Sequence, residues 1–213
     1  MSKDKKAAEV HLLPKGMVIN HSLFSKDQYN EKATPSYKIE LAFEKKALDA
    51  FYDKLLDFAV DKWGKGADDK DSGLIIPIKN GDIFAKKREA KGKSGDAYAG
   101  KEVIRANTIF NKHGEDGPGG VAVYDMDAET EIGVANGDEF YRGCFAQAAV
   151  VIGSYTTEDN DGNPVNGLTL YLSAVQKVGD GDPLTAPKDH SVLFKPVGRE
   201  EGEGKPARNK RAG

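Results

Sequence analysis

Cysteine is almost absent from this sequence of 213 residues, because Cys144 is the only one. A disulfide framework is therefore excluded, and a reducing, cytoplasmic compartment fits the composition. No segment contains about 18 consecutive apolar residues, so we expect no membrane span. The charged N-terminus, Met1 to Lys6, is not followed by the apolar core of a signal peptide, so we expect no secretion.

The sequence also lacks the motifs of the common catalytic and metal sites. Gly92-Lys93-Ser94 resembles the end of a phosphate-binding loop, but the first glycine of that motif would fall at Lys87. Asp159 to Gly162 resembles part of a calcium-binding loop, but its twelfth position is Leu168 instead of glutamate. The histidines do not have the spacing of zinc ligands; they are His11, His21, His113 and His190. We therefore predict a protein that is not an enzyme, with no catalytic residue, no metal ligand and no cofactor.

Two features leave other chemistry to be weighed. Asp125, Asp127, Glu129 and Glu131 offer oxygen ligands for a metal ion, which a metal-dependent nuclease would need. A solvated acidic loop is the simpler interpretation, and we favour it. Cys144 lies inside a predicted strand without a neighbouring histidine, so we favour a buried packing thiol over a nucleophile.

Charges of opposite sign are segregated along the chain, although the formal net charge is only -3. Residues 115–139 contain eight acidic side chains and no lysine or arginine. Residues 86–105 contain three acidic side chains and seven cations, which are Lys86, Lys87, Arg88, Lys91, Lys93, Lys101 and Arg105. Because the local field governs the binding of a polyanion, this second segment predicts a positive surface on an acidic protein.

Hydrophobic periodicity predicts a mainly β chain with one helix. Apolar residues spaced by three and four predict an amphipathic helix of about five turns over residues 46–63, ended by Gly64. Residues 85–100 are predicted to form a long basic loop, and residues 125–138 an acidic, turn-rich segment with a brief helix. Antiparallel order with one inserted helix and long loops favours a small Greek-key barrel. The predicted strands cover residues 10–13 and 17–24, as one strand or two, and residues 37–43, 74–78, 101–110, 121–124, 140–155 and 167–178.

The last two strands form the longest predicted hairpin, with the polar turn Asp159 to Pro164 between them. The second strand alternates with a period of two, as expected when one face lies on a core. Its inward face, the expected inner wall of the barrel, contains Leu168, Leu170, Leu172 and Ala174. Its outward face is predicted to contain Thr169, Tyr171, Ser173 and Lys177.

Aromatic residues close to cations point to a binding function. Nonspecific binding of single-stranded nucleic acid uses this combination, because cations follow the phosphates and rings accept bases by stacking. The neighbours in question are Tyr98 with Lys101 and Arg105, Phe84 with Lys86, Lys87 and Arg88, Tyr141 with Arg142, and Tyr171 with Lys177. Other aromatic residues are expected to pack in the core, namely Phe43, Phe51, Phe58 and Phe110.

The last third of the chain contains three spaced motifs. They are Tyr141-x-Gly143-Cys144 before a long apolar strand, Leu170-x-Leu172-x-x-Val175-Gln176-Lys177, and Gly179-Asp180-Gly181-Asp182. Together with the order of strand 37–43 and the helix, and with Tyr98-x-Gly100-Lys101, these motifs resemble the bacteriophage single-stranded DNA-binding protein family. That family has an OB fold and is distantly similar to the T7-type protein. The resemblance covers roughly residues 10–185.

The resemblance implies an OB-fold-like Greek-key β-barrel over residues 10–185, and composition predicts flexible tails at residues 1–9 and 186–213. It also implies non-catalytic, sequence-nonspecific binding of single-stranded DNA, which would protect exposed strands during phage replication, recombination and repair in the cytoplasm of the infected host. Phage or host replication proteins are further implied partners. The acidic tail of T7-type proteins is not matched, because the last charged residues here are Lys205, Arg208, Lys210 and Arg211. A phage structural or assembly protein that contacts other proteins is the alternative from a different class.

The predicted DNA contacts centre on the basic segment between Lys86 and Arg105. Cations are expected to bind phosphates, and aromatic residues to stack on bases. The predicted contact residues are Lys38, Phe84, Lys86, Lys87, Arg88, Tyr98, Lys101, Arg105, Arg142, Tyr155, Tyr171 and Lys177.

Overall fold

The computed structural model describes residues 8–28, 30–159 and 161–184, which form a mainly β structure, so the predicted fold class is confirmed. The tails predicted at residues 1–9 and 186–213 lie outside the described residues, apart from Ala8 and Glu9. No helix in the described part of the chain is long and apolar enough to cross a membrane. The elements are β1 (Val10–Leu12), β2 (Gly16–Asp27), β3 (Ser36–Glu44), α1 (Asp49–Trp63), β4 (Ile78–Asn80), α2 (Gly81–Glu89), β5 (Lys101–Thr108), β6 (Ala122–Tyr124), a 3-10 helix (Val134–Glu139), β7 (Phe145–Glu158) and β8 (Pro164–Gly179).

Five of the strands close into a barrel. β7, β2, β3, β5 and β8 pair in that order, and β8 pairs along its length with β7 again. β1 extends the sheet from β7, β4 pairs with β5, and β6 pairs in parallel with β8. A five-stranded Greek-key barrel is the architecture of the OB fold, as predicted. Leu168, Leu170 and Leu172 of β8 are almost fully buried, which confirms their place on its inner wall. Ala174, predicted on the same wall, is only partly buried.

Helix α1 packs on the barrel core through one apolar stripe. Phe51, Leu55 and Ala59 lie four residues apart on that stripe and are buried. The helix ends at Gly64, whose φ of 89° lies in the left-handed region that favours glycine. The Gly64 N–H donates to the Val60 carbonyl at 2.8 Å. The predicted helix and its stop are therefore confirmed.

The predicted basic loop at residues 85–100 is wrong in its first part, where α2 forms instead. The Asn80 side chain caps this helix by accepting a hydrogen bond from the Asp82 N–H at 2.8 Å. Gly81 and Ala85 are the residues that α2 buries. The helix therefore lacks the wide apolar stripe on which a prediction from periodicity depends.

The strand predicted at residues 74–78 is displaced toward the C-terminus. β4 begins at Ile78, whereas Ile75 makes an isolated bridge to Gly167. Pro77 explains the shift, because proline has no N–H to donate to a strand ladder. The brief helix predicted after Asp125 is confirmed as the 3-10 helix Val134–Glu139.

His21 on β2 gives the fold a predicted sensitivity to acid. Its ring lies edge-on to Phe24 and Phe140, with centroid distances of 6.2 and 5.2 Å. Burial, assisted by the charge of Arg142, lowers the pKa of His21 below its ordinary value of 6.5. Below pH 6.5 the unfolded chain therefore takes up a proton that the folded chain still refuses, so we expect stability to fall as the pH drops below about 6.5.

Thermal unfolding at about pH 7.5 and pH 5 measures this effect. The variant His21→Phe keeps an edge-on ring and should lose less melting temperature between the two pH values than the wild type. His113→Phe, at an exposed position, is the matched control and should behave as the wild type does. An equal drop in all three proteins would assign the acid sensitivity to other groups.

Candidate nucleic-acid interface

The outward side chains of β2, β3, β5, β7 and β8 form one continuous surface, which we call the outer face. Cross-strand partners share a side of a sheet, so the registers show which residues lie together. One row joins Asn20, Glu40 and Arg105. The next row contains Ser22, Lys38, Asn107 and Tyr171. The residues that alternate with these rows point inward and are buried, namely Ile39, Leu41, Ile104 and Ala106.

One end of the outer face is covered by α2 and the segment that follows it. Tyr98 is only 8% exposed there and packs in a small apolar cluster with Ile19 and Val103. Phe84 lies against Tyr98 with a centroid distance of 5.9 Å. The structure therefore places these two predicted stacking residues in the packing that holds α2 on the sheet.

Three predicted cations from distant parts of the chain meet around Tyr98, and we call Arg88, Arg105 and Arg142 the arginine cluster. The Arg88 guanidinium carbon lies 5.3 Å from the Tyr98 ring centroid. Arg142 donates through Nε to the Ile19 carbonyl at 2.9 Å. Burial raises the pKa of Tyr98, and nearby Glu40 adds to the rise. The charges of all three arginines oppose this rise in the pKa. Hydrogen bonds hold Arg105 to Glu40 of β3 and Arg142 to the Ile19 carbonyl of β2, on the strands beside Tyr98.

Four of the other predicted cations lie on α2, β3 and β5. Lys86 and Lys87 are exposed on α2. Lys38 forms an ion pair with Asp27, and Lys101 forms one with Glu44. Exposed pairs of this kind are weak and easily exchanged for a phosphate. Lys86, Lys87 and Lys101 of the basic segment thus lie on α2 and β5, at one end of the outer face.

Glu40 is the negative charge beside the arginine cluster. It is 8% exposed and accepts a hydrogen bond from Arg105 Nε at 2.6 Å. We expect Glu40→Gln to raise the affinity for single-stranded DNA about 3- to 10-fold at low salt, because it removes a repulsion of phosphates and leaves Arg105 with its full charge. Fluorescence anisotropy with labelled oligo-dT at about 50 mM salt measures this gain.

The gain should shrink near about 500 mM salt, where screening is strong. Asp53→Asn on α1 removes the same charge from an exposed position and serves as the control. Unchanged or lower affinity of Glu40→Gln would contradict a role of Arg105 in DNA contact.

Two tyrosines of the β7–β8 hairpin pack against glycines of the neighbouring strand. A Cβ atom on Gly153 would come within 2.3 Å of the Tyr171 ring, and one on Gly167 within 2.3 Å of the Tyr155 ring. Tyr171 is 51% exposed and Tyr155 39% exposed. Each ring therefore rests against the backbone of the sheet and remains partly exposed, as a stacking residue must be.

The predicted outward orientation of Lys177 is wrong. β8 has an irregularity between Leu172 and Ala174, where Ser173 is the extra residue, so the alternation changes phase. Lys177 is consequently 7% exposed, and its ammonium lies 2.7 Å from the Asp180 carboxylate. Burial works to lower the pKa of Lys177, but the hydrogen bond and charge of Asp180 outweigh it and raise the pKa. Lys177 thus does not share a face with Tyr171.

Phe110 is predicted to pack in the core, and this prediction is wrong as well. The residue lies just beyond the end of β5 and is 50% exposed. A cleft of about 430 Å³ lies between Phe110 and Tyr171, lined also by Asn107, Thr108 and Ile109. Sequence reasoning did not select Asn107 or Phe110. The available signal was the position of Phe110 two residues before Lys112, the same aromatic–cation proximity that selected other candidates.

The sequence profile of one protein family matches residues 21–203, and its description is ssDNA-binding protein of Enterobacter phage Enc34. The chain belongs to this Enc34 family. Curated protein sequences gave no significant match. Solved structures show a similar fold. The single-stranded DNA-binding protein of bacteriophage Enc34 in complex with ssDNA has a TM-score of 0.57 at 20% identity, over 82% of this chain and 88% of that one.

Two further structures extend this comparison. The Enc34 protein described without ssDNA has a TM-score of 0.54 at 20% identity, over 87% of this chain and 90% of that one. Gp2.5, a single-stranded DNA-binding protein encoded by bacteriophage T7, has a TM-score of 0.52 at 12% identity, over 94% of this chain and 100% of that one. The resemblance to phage single-stranded DNA-binding proteins is therefore confirmed.

The Tyr141-x-Gly143-Cys144 motif of this Enc34-family chain has a structural role. The Tyr141 hydroxyl lies 3.0 Å from the Gly181 carbonyl and 3.1 Å from the Asp180 carboxylate. Cys144 is fully buried, and burial raises the pKa of its thiol. The motif thus joins the start of β7 to the segment after β8, beneath Arg142.

Proposed function

We propose that this protein binds single-stranded DNA along the outer face without sequence preference. The observation that supports this most is the combination on one surface of two accessible tyrosine rings and the arginine cluster. Guanidinium groups neutralise phosphates, and a ring face accepts any base, so the pairing suits a nonspecific strand. Membership of the Enc34 family agrees with this function.

We propose the following roles for the predicted contact residues. Tyr155 and Tyr171 are the proposed stacking residues, whereas Phe84 and Tyr98 support α2 beneath the arginines. Lys177 is no longer proposed as a contact, because its ammonium is buried against Asp180. The proposed phosphate contacts are Lys38, Lys86, Lys87, Arg88, Lys101, Arg105 and Arg142.

The proposed biological role is that of the phage relatives. A domain over residues 10–185 with flexible tails would coat transiently exposed strands during replication, recombination and repair. It would act in the cytoplasm of the infected host, without catalysis or cofactor, and phage or host replication proteins are its proposed partners.

A binding assay with labelled single-stranded and double-stranded DNA, with and without magnesium, tests the proposal. We expect binding of the single strand, weaker binding of the duplex and no cleavage. The logarithm of the affinity should fall with the logarithm of salt by about 0.7 for each neutralised phosphate. If the protein binds no labelled oligonucleotide at any salt concentration, the result would instead support the assembly protein.

Cleavage that depends on magnesium and is lost in Asp125→Asn would support the nuclease. The geometry of the acidic segment favours the solvated loop. Asp127 accepts hydrogen bonds from the Thr130 hydroxyl at 2.6 Å and from the backbone N–H groups of Thr130 and Glu129, which lower its pKa. Its oxygens are therefore engaged in a turn.

A further inference from the structure

The cleft between Phe110 and Tyr171 exists because the sheet is interrupted there. β5 pairs with β8 at Asn107 and Tyr171, and β6 takes up pairing with β8 at Ala122 and Ala174. Between these two points the chain leaves the sheet and returns. The edge of β8 beside Leu172 and Ser173 is therefore open to a cleft on the outer face.

We propose that this cleft holds one unstacked nucleobase of the bound strand, between the rings of Phe110 and Tyr171. This inference rests on the proposed function. Both rings are half exposed, although aromatic side chains of this size are usually buried unless they have a partner. The cleft volume of about 430 Å³ is within the range of small-molecule sites.

Polar groups suited to a base and to its phosphates surround the two rings. Asn107 lies next to Tyr171 in the register and is exposed, so its amide is available to donate to and accept from a base edge. Lys112 lines the continuation of the cleft. On the other side, Lys38 and Arg105 lie on the adjoining strands of the outer face. A strand crossing the face would thus meet cations on both sides of the base site. A phosphate would take each of them from its acidic partner, which is Glu131 for Lys112, Asp27 for Lys38 and Glu40 for Arg105.

Gly153 positions the Tyr171 ring for this role. The ring lies where a Cβ atom on residue 153 would be, at 2.3 Å from Cε2 and 3.0 Å from Cδ2. Such an overlap cannot be tolerated, so any side chain at this position must displace the ring. Gly153 is therefore a positioning residue for the base site. A substitution at Gly153 moves the Tyr171 ring without removing it.

Two oligomers of equal length separate contacts to bases from contacts to phosphates. One is oligo-dT, and the other is an abasic oligomer that keeps every phosphate and has no base. Phe110→Ala and Tyr171→Ala should each bind oligo-dT about 10-fold more weakly, as expected for one lost stacking contact. Both should bind the abasic oligomer as the wild type does. Gly153→Val should reproduce the pattern of Tyr171→Ala, and Tyr171→Phe should keep the wild-type affinity.

Tyr52→Ala on α1 is the matched control, because Tyr52 is 41% exposed on another side of the barrel and should affect neither oligomer. Unfolding temperatures check that each variant is folded. Equal losses on both oligomers, or no loss on oligo-dT for Phe110→Ala and Tyr171→Ala, would overturn the base site while leaving the proposed function intact. Absence of wild-type binding to oligo-dT would overturn the proposed function itself.

Discussion

The double variant Arg88→Ala/Arg105→Gln is expected to bind oligo-dT about 60-fold more weakly than the wild type at about 50 mM salt. Each phosphate contact on a single strand contributes about 0.7 to the salt dependence of the affinity, so two lost contacts remove about 1.4. Salt changes twentyfold between about 1 M and 50 mM. Over that range, a difference of about 1.4 in the slope corresponds to a loss of affinity of about 60-fold. Glutamine at position 105 keeps a hydrogen-bond donor for buried Glu40, which alanine would leave without one.

Titrations at several salt concentrations measure both the loss and the slope. Lys54→Ala/Lys62→Gln on α1 changes the net charge by the same amount at exposed positions and is the matched control. A similar loss in the control would assign the effect to net charge instead of placement. An unchanged slope in the arginine variant would show that the cluster does not contact phosphates.

Local periodicity was sufficient to predict the barrel and α1. Leu168, Leu170 and Leu172 alternate on a strand that is buried on one side, and Phe51, Leu55 and Ala59 repeat at the spacing of a helix. In both cases one stripe of apolar residues meets one core, so the pattern is visible within the segment itself.

Features set by distant parts of the chain were not predictable in this way. The alternation of inward and outward side chains along β8 shifts by one residue at Ser173, where the neighbouring strand changes from β5 to β6. Because of this shift, Lys177 points inward. Phe110 is exposed because β5 ends at Thr108. The helix α2 packs through two small residues, so its amino-acid composition resembles that of a loop.

The candidate site was predictable in its residue types but not in its arrangement. Arg88 and Arg105 belong to the basic segment that charge segregation selected, yet Arg142 joins them only through the register of β2 with its neighbours. The positions of the two tyrosine rings depend on the glycine of the neighbouring strand that each ring contacts. Gly167 pairs directly with Tyr155, whereas Gly153 pairs with Thr169 and lies diagonally from Tyr171, and alternation within one strand specifies neither contact.

Gly143→Ala is expected to lower the melting temperature by about 10 °C or more, the largest stability loss that we predict for one methyl group. Gly143 has a φ of 112°, where residues other than glycine are strained, and a Cβ atom there would lie 2.0 Å from the Asp182 carbonyl oxygen. Backbone strain and backbone overlap together should cost about 4 kcal/mol or more.

Gly162→Ala separates the two contributions. Gly162 has a φ of 82° in the β7–β8 turn, but an added Cβ atom would meet nothing within 4 Å. It should therefore show only the backbone strain, about 1–2 kcal/mol and a few degrees of melting temperature. Equal melting temperatures of the two variants would mean that the segment after β8 moves away from the added methyl group at little cost in stability. A much larger loss of melting temperature for Gly143→Ala would instead show that Gly143 is required for the close contact between Arg142 and the segment after β8. In that contact the Leu184 N–H donates to the Arg142 carbonyl at 2.9 Å. Tyr141, Gly143 and Cys144 would then hold Arg142 in place without contacting DNA themselves.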